Sequence, residues 1–192
     1  LLKQIDNGGV DQVESMRMIA TVDGKRVPIE AGKPVVKRHV DSGATITGQG
    51  TGAGLKLSAV SQAEFDGFVR SDLTIAPAGD VARVDKLTWE LVLPESEATH
   101  FCTTAGGWSA VHDVTPAYWS SQKTASGLLI GDFVPYVWLT NSDRAFCWIA
   151  DNDKGWVTDD DRSRPTQEVI RADGKVTLRV HLIEMPTELH EP

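Results

Sequence analysis

The sequence predicts an all-β protein, an antiparallel two-sheet β-sandwich of jelly-roll or supersandwich type with few short helices. Three observations carry the prediction. Almost every periodic segment alternates apolar and polar residues at two rather than 3.6. Asp-Gly pairs sit between alternating segments, where a tight hairpin needs positive φ at both central residues. No stretch long enough for a stable helix shows an amphipathic stripe.

The elements follow in chain order. Met16, Met18, Ala20 and Val22 alternate with Arg17, Ile19 and Thr21, and Asp23-Gly24 turns the chain into a partner strand over 25–29. Further strands are expected over 44–47, 55–60 and 64–75. Leu87, Trp89, Leu91 and Leu93 point one way and Thr88, Glu90 and Val92 the other, which makes Trp89 a core residue. Residues 95–127 form the longest region without periodicity, and a short apolar run follows at 128–130. The runs 134–139 and 145–150, split by Thr140-Asn-Ser-Asp-Arg144, read as a hairpin with Trp138 and Trp148 in the core. A second Asp-Gly turn, Asp173-Gly174, joins 168–171 to 176–183. There Val176, Leu178, Val180 and Leu182 share one face, and His181 on the other is expected in solvent. Short helical turns fit 11–15 or 115–121.

Length and composition narrow the function. A chain of 192 residues without a low-complexity linker reads as a single domain, 1–192, large enough to bury most of its surface without a metal or disulfide staple. Its first residue is Leu1 and it ends at His190-Glu-Pro192, which reads as a domain excised from a longer multidomain protein. A net charge of −8 excludes nucleic acid as a main partner. No apolar run reaches the ~20 residues of a membrane-spanning helix. Cys102 and Cys147 lie far apart, and two buried thiols are favoured over a disulfide between them.

Several motifs carry less chemistry than they suggest. Gly48-Gln-Gly-Thr-Gly-Ala-Gly54 lacks the Lys-Ser/Thr of a phosphate loop and leads into a strand, so it reads as a connection or bulge. Asp151-Asn-Asp-Lys-Gly155 starts like a calcium loop, but Gly155 and Arg162 stand where oxygen ligands belong. Asp151, Asp153 and Asp159 are weak calcium candidates, and no cofactor is otherwise indicated. The histidines show no metal-ligand spacing, Ser109 near His112-Asp113 has no nucleophile elbow, and no carboxylate pair stands out. No catalytic residue is assigned. Trp108, Tyr118, Trp119 and Trp156 lie in or beside Gly/Ser/Asp-rich loops, where large aromatics suit stacking on a carbohydrate.

Several segments resemble the N-terminal β-sandwich domain that precedes the catalytic barrel in glycoside hydrolase family 123 and related proteins. They are Glu64-Phe-Asp-Gly-Phe68, Leu73-Thr-Ile75, Leu87-Thr-Trp-Glu-Leu-Val-Leu-Pro94, Pro135-Tyr-Val-Trp-Leu139, Asp143-Arg144, Cys147-Trp148 and Asp153-Lys-Gly-Trp156. The resemblance implies a parent enzyme acting on N-acetylgalactosaminides by substrate-assisted retaining hydrolysis, in a periplasmic or extracellular setting. The family's adjacent Asp-Glu pair lies in the barrel, and this chain contains no Asp-Glu dipeptide. The expectation is a non-catalytic accessory domain that scaffolds the parent chain's catalytic barrel and contributes to glycan binding. An independent carbohydrate-binding module and a self-contained carbohydrate-active enzyme using acidic residues are the alternatives.

Overall fold

A computed structural model of the chain describes residues 6–7, 9–39, 42–105, 108–112, 115–121, 134–159 and 164–191. The side chains of 6–7, 39, 104–105 and 108–112 lie outside that description, as does the short run expected at 128–130. The protein is all-β, built from antiparallel sheets.

In chain order the strands are β1 (Asp6–Asn7), β2 (Val10–Asp11), β3 (Ser15–Val22), β4 (Lys25–Pro28), β5 (Glu30–Ala31), β6 (Val35–His39) and β7 (Gly43–Gly52). There follow β8 (Leu55–Glu64), β9 (Val69–Pro77), β10 (Val81–Val84), β11 (Lys86–Pro94), β12 (His100–Ala105) and β13 (Trp108–His112). The last are β14 (Tyr118–Ser120), β15 (Tyr136–Thr140), β16 (Ala145–Ile149), β17 (Gln167–Ala172), β18 (Lys175–Ile183) and β19 (Thr187–His190). A 3-10 turn spans Glu95–Glu97. Within the stretch 115–121, expected as a helical turn, Tyr118–Ser120 form strand β14, from which Trp119 packs inward.

The chain divides into two compact units. One comprises Leu2–Met18 and Lys86–Met185. In it β14, β17, β18, β11 and the start of β3 form one sheet in that order, and β13, β12, β15 and β16 form a second. Alternation sends one face of each sheet into a shared core. Leu91, Leu93, Trp119, Val169, Val176, Leu178 and Val180 come from the first sheet, and Phe101, Val137 and Leu139 from the second. The Phe101 and Trp119 rings meet across the sheets at 4.9 Å, tilted by 57°. This is sandwich packing, with inner faces interdigitating around a single apolar layer. Trp89, Phe146 and Trp148 pack against the same layer, as the sequence predicts for Trp89 and Trp148.

The other unit comprises Ile19–Asp85 and Pro186–Pro192. The end of β3 pairs with β4 through Asp23-Gly24, whose φ values of 49° and 71° are those of the expected tight turn. A five-stranded sheet runs β5-β7-β8-β9, with β6 also on β7. Its faces differ in balance. Leu55, Leu57, Ala59, Leu73, Ile75, Ile46 and Val36 share one face with Ser61, Ser71 and Arg38, while Lys56, Ser58, Gln62, Arg70, Asp72 and Thr74 share the other with Val35, Val60 and Ala76. β10 and β19 form a separate two-stranded ladder.

Two details depart from the sequence reading. The segment expected as one strand over 64–75 breaks at Phe65–Phe68, where Gly67 has φ of 91° and Asp66 Oδ1 accepts from the Phe68 amide at 3.0 Å. The glycine run at 48–54 is not a loose connection. It is the end of β7 and a tight turn, with Ala53 and Gly54 at φ of 52° and 74°. A Cβ on Gly50 would stand 3.0 Å from the Glu30 carbonyl and 3.1 Å from Ile29 Cγ2. One on Gly52 would stand 2.9 Å from the Pro28 carbonyl. Bare backbone there lets the chain from Pro28 to Ala31 cross tightly over β7.

Candidate functional site

The two sheets of the sandwich unit have unlike outer faces, and that of the first is largely buried. On the outer face of the first sheet, register sets Thr88 beside His181, Glu90 beside Arg179, Arg179 beside Glu168, and Glu168 beside Ser120. Glu90 is almost fully buried and is held by two guanidinium groups. Arg17 donates through Nε and a terminal nitrogen to Oε1 at 2.9 and 2.7 Å, and Arg179 Nε donates to Oε2 at 2.9 Å.

Next to it runs a second chain of hydrogen bonds. His181 Nδ1 lies 2.8 Å from Thr88 Oγ1, and His181 Nε2 lies 2.7 Å from Glu168 Oε2. The Tyr118 hydroxyl donates to Glu168 Oε1 at 2.9 Å. Burial acts to raise the Glu168 pKa, but the hydrogen bond from His181, the charge that ring carries when protonated, the hydrogen bond from Tyr118 and the charge of Lys86 outweigh it. Its carboxyl therefore sits well below the usual range. Burial pushes His181 the other way, toward the neutral ring, helped by Lys86 and Arg179 and opposed by Glu168. A neutral ring facing a carboxylate donates through Nε2–H, and Nδ1 then accepts from the Thr88 hydroxyl. Desolvation also lowers the Lys86 amine, with Glu168 and Glu184 opposing.

A hydroxyl, an imidazole and a carboxylate in line is the pattern of an acyl-transfer relay. Here Thr88 is 5% exposed and His181 2%, so no substrate atom reaches the hydroxyl, whose proton is committed to the ring. The expectation of a solvated His181 is thus corrected. The ring does sit on the outward face, but Glu168 and Thr88 from neighbouring strands enclose it. The sequence pattern alone missed this cluster, because its members come from β11, β14, β17 and β18.

The outer face of the second sheet is different. Pairing aligns Cys102, Trp138 and Cys147 across three strands, flanked by Tyr136 opposite Ile149 and by Thr140 opposite Ala145. Trp138 is 43% exposed and Ile149 57%. None of these positions carries Asp, Glu, Lys or Arg. Trp138, expected in the core, therefore faces outward, while its neighbour in the hairpin, Trp148, faces inward. Burial raises the pKa of both thiols, that of Cys147 to about 11, with Cys102 adding to the effect.

The aromatic candidates separate. Tyr118 is exposed beside Glu168, whereas Trp119 is buried against Phe101 and offers no face to a ligand. Trp156 is partly buried, its ring 6.1 Å from that of Trp148 and packed on the core. Trp108 opens β13, and its ring lies outside the described residues. The four are not brought together: Tyr118 and Trp119 point to opposite faces of one strand.

The acidic candidates also stay apart. Asp151 and Asp153 are exposed in turns, while Asp159 is buried and its amide donates to Glu184 Oε2 at 3.1 Å. Among the described residues no three His, Cys, Asp or Glu side chains converge on a possible metal position. Nor is any helix among them long and apolar enough to cross a membrane. No family model, no curated protein and no solved structure matches this chain.

Proposed function

We propose that the chain is a non-catalytic β-sandwich accessory domain of a glycoside-hydrolase-like protein, and that it scaffolds the parent's catalytic barrel. The carrying observation is the uncharged outer face around Trp138, Cys102, Cys147, Tyr136 and Ile149. An antiparallel sheet with one face in the core normally turns a polar face to water. An aromatic and aliphatic outer face is instead suited to burial against another domain. The other polar face supports the same reading, since Glu90 and Glu168 are already satisfied by Arg17, Arg179, His181 and Tyr118. The nature of the partner, a barrel acting on N-acetylgalactosaminides, and the periplasmic or extracellular setting rest on the resemblance of the sequence motifs.

A second reading is favoured by one observation, the exposed indole of Trp138 on a flat sheet, which suits stacking on a sugar ring. Three measurements separate the readings. The accessory domain gives no turnover on an aryl-glycoside panel and no calorimetric heat with N-acetylgalactosamine oligosaccharides. Its Trp138 fluorescence, isolated by difference against Trp138→Phe, is quenched by acrylamide in the chain alone and shielded when the barrel is present. Glycan heat lost on Trp138→Ala would establish the binding module instead, and turnover would establish the enzyme.

A further inference from the structure

The five-stranded sheet of the other unit ends in an edge whose chemistry is self-complementary. β9 is hydrogen-bonded to β8 along one side, and among the described strands nothing pairs along the other. The ladder ends fix which backbone groups point outward. The Glu64 amide donates to the Phe68 carbonyl at one end, and the Ala78 amide donates to the Gly54 carbonyl at the other. Antiparallel pairs alternate between bonded and non-bonded, so Arg70, Asp72 and Thr74 aim their backbone groups at β8. Val69, Ser71, Leu73 and Ile75 aim theirs at the unpaired edge, which β10 and β19 approach without bonding to it. Pro77 falls in that outward set, so its missing N–H costs β8 no bond.

We propose that two copies of this chain pair antiparallel through β9, in a register centred on Ser71. That register sets Arg70 opposite Asp72 of the second copy, and Asp72 opposite its Arg70. Both contacts fall in non-hydrogen-bonded pairs, where facing side chains come closest. Arg70 and Asp72 are well exposed on the same face of β9 and lie 3.5 Å apart within one chain, so the paired copies would set four alternating charges in a square. Shifting the centre to Arg70 or to Asp72 would set like charges directly opposite, so the charges select one register among its neighbours. Bare charges on an edge normally guard it against pairing. This pair, opposite in sign and symmetric about Ser71, favours pairing with itself. Val69 then faces Leu73 of the second copy, and the apolar faces carrying Val36, Ile46, Ala59 and Leu73 become continuous. The arrangement is isologous, as a two-fold dimer requires.

Sedimentation velocity of the full chain over a concentration series at low salt tests it. The expected result is a reversible dimer. Arg70→Asp and Asp72→Arg each weaken it on the order of 10-fold or more, and the double reversal restores it. Ser71→Pro removes an outward N–H and the 2.8 Å hydroxyl bond between Ser71 and Ser61, but takes no backbone bond from β8, and leaves a folded monomer. Three results would overturn the proposal: a monomer at every concentration, a dimer indifferent to the single reversals, or a double reversal that fails to restore pairing.

Discussion

Gln167 and Val134 exchange two hydrogen bonds. The Val134 amide donates to Gln167 Oε1 at 3.2 Å, and Gln167 Nε2 donates to the Val134 carbonyl at 3.2 Å. Both residues are buried. Gln167 belongs to β17 of the first sheet, and Val134 leads into β15 of the second, so a side-chain amide supplies the partner a strand would otherwise give. Gln167→Leu should leave two buried backbone groups unpaired and cost about 2–4 kcal/mol in urea unfolding. An unchanged midpoint would mean that water replaces the amide.

Acid should weaken the sandwich unit in two stages. His181 has a lowered pKa when folded, so below about 6.5 the unfolded chain binds a proton that the folded one refuses. Stability present at neutral pH is therefore lost as pH falls from there. Glu168 is also lowered, and its contribution, present above the ordinary carboxylate range, is lost at still lower pH. Each proton changes stability by at most ~1.4 kcal/mol per pH unit. Measured by urea unfolding at a series of pH values, His181→Gln should flatten the slope below about pH 6.5. A slope identical to wild type would assign the sensitivity elsewhere.

Trp119 and Trp138 should respond oppositely to truncation. Trp119→Ala opens a cavity against Phe101 and should cost about 3–5 kcal/mol in thermal or urea unfolding. Trp138→Lys should leave the unfolding midpoint nearly unchanged and reduce binding of a hydrophobic dye. A large loss of stability for the second variant would mean that its ring is buried in the free chain.

The cysteines should remain thiols under oxidising conditions. Cys102 and Cys147 both pair with Trp138 from either side, which separates them by two strand spacings, about 9.5 Å. A disulfide needs Cα atoms within about 7 Å. Mass spectrometry of the non-reduced chain after alkylation should find both modified, and an intramolecular bridge would require one strand to leave the sheet.

Much of the fold was legible because turn chemistry is local. Asp23-Gly24 and Asp173-Gly174 both adopt the positive φ values that their hairpins need. The hairpin of β15 and β16 is closed by Asn141, whose side chain accepts from the Asp143 and Arg144 amides at 2.9 and 2.8 Å. Ala53-Gly54 makes an equally tight turn without an Asx residue, and the surrounding glycines mark a connection there without fixing its place. The orientation of Trp138 was illegible for a different reason. Tyr136, Val137, Trp138 and Leu139 are all bulky, and alternation carries no phase when every position is apolar. Phase comes from β12, where Phe101 opposite Leu139 fixes the inner face. The His181 cluster was hidden because an outward side chain is read as wet, whereas its environment is made by three neighbouring strands.

The bare backbone of β7 leaves a trace of its own. A side chain at Gly52 would collide with the Pro28 carbonyl and one at Gly50 would fit only if Glu30 and Ile29 gave way, while Gln49 and Thr51 between them face solvent. Tolerance to substitution along this strand is therefore a comb, costly at one tooth and free at the next. A glycine-rich run that looks like slack rope is, in this protein, a track whose missing side chains are its fitted surface.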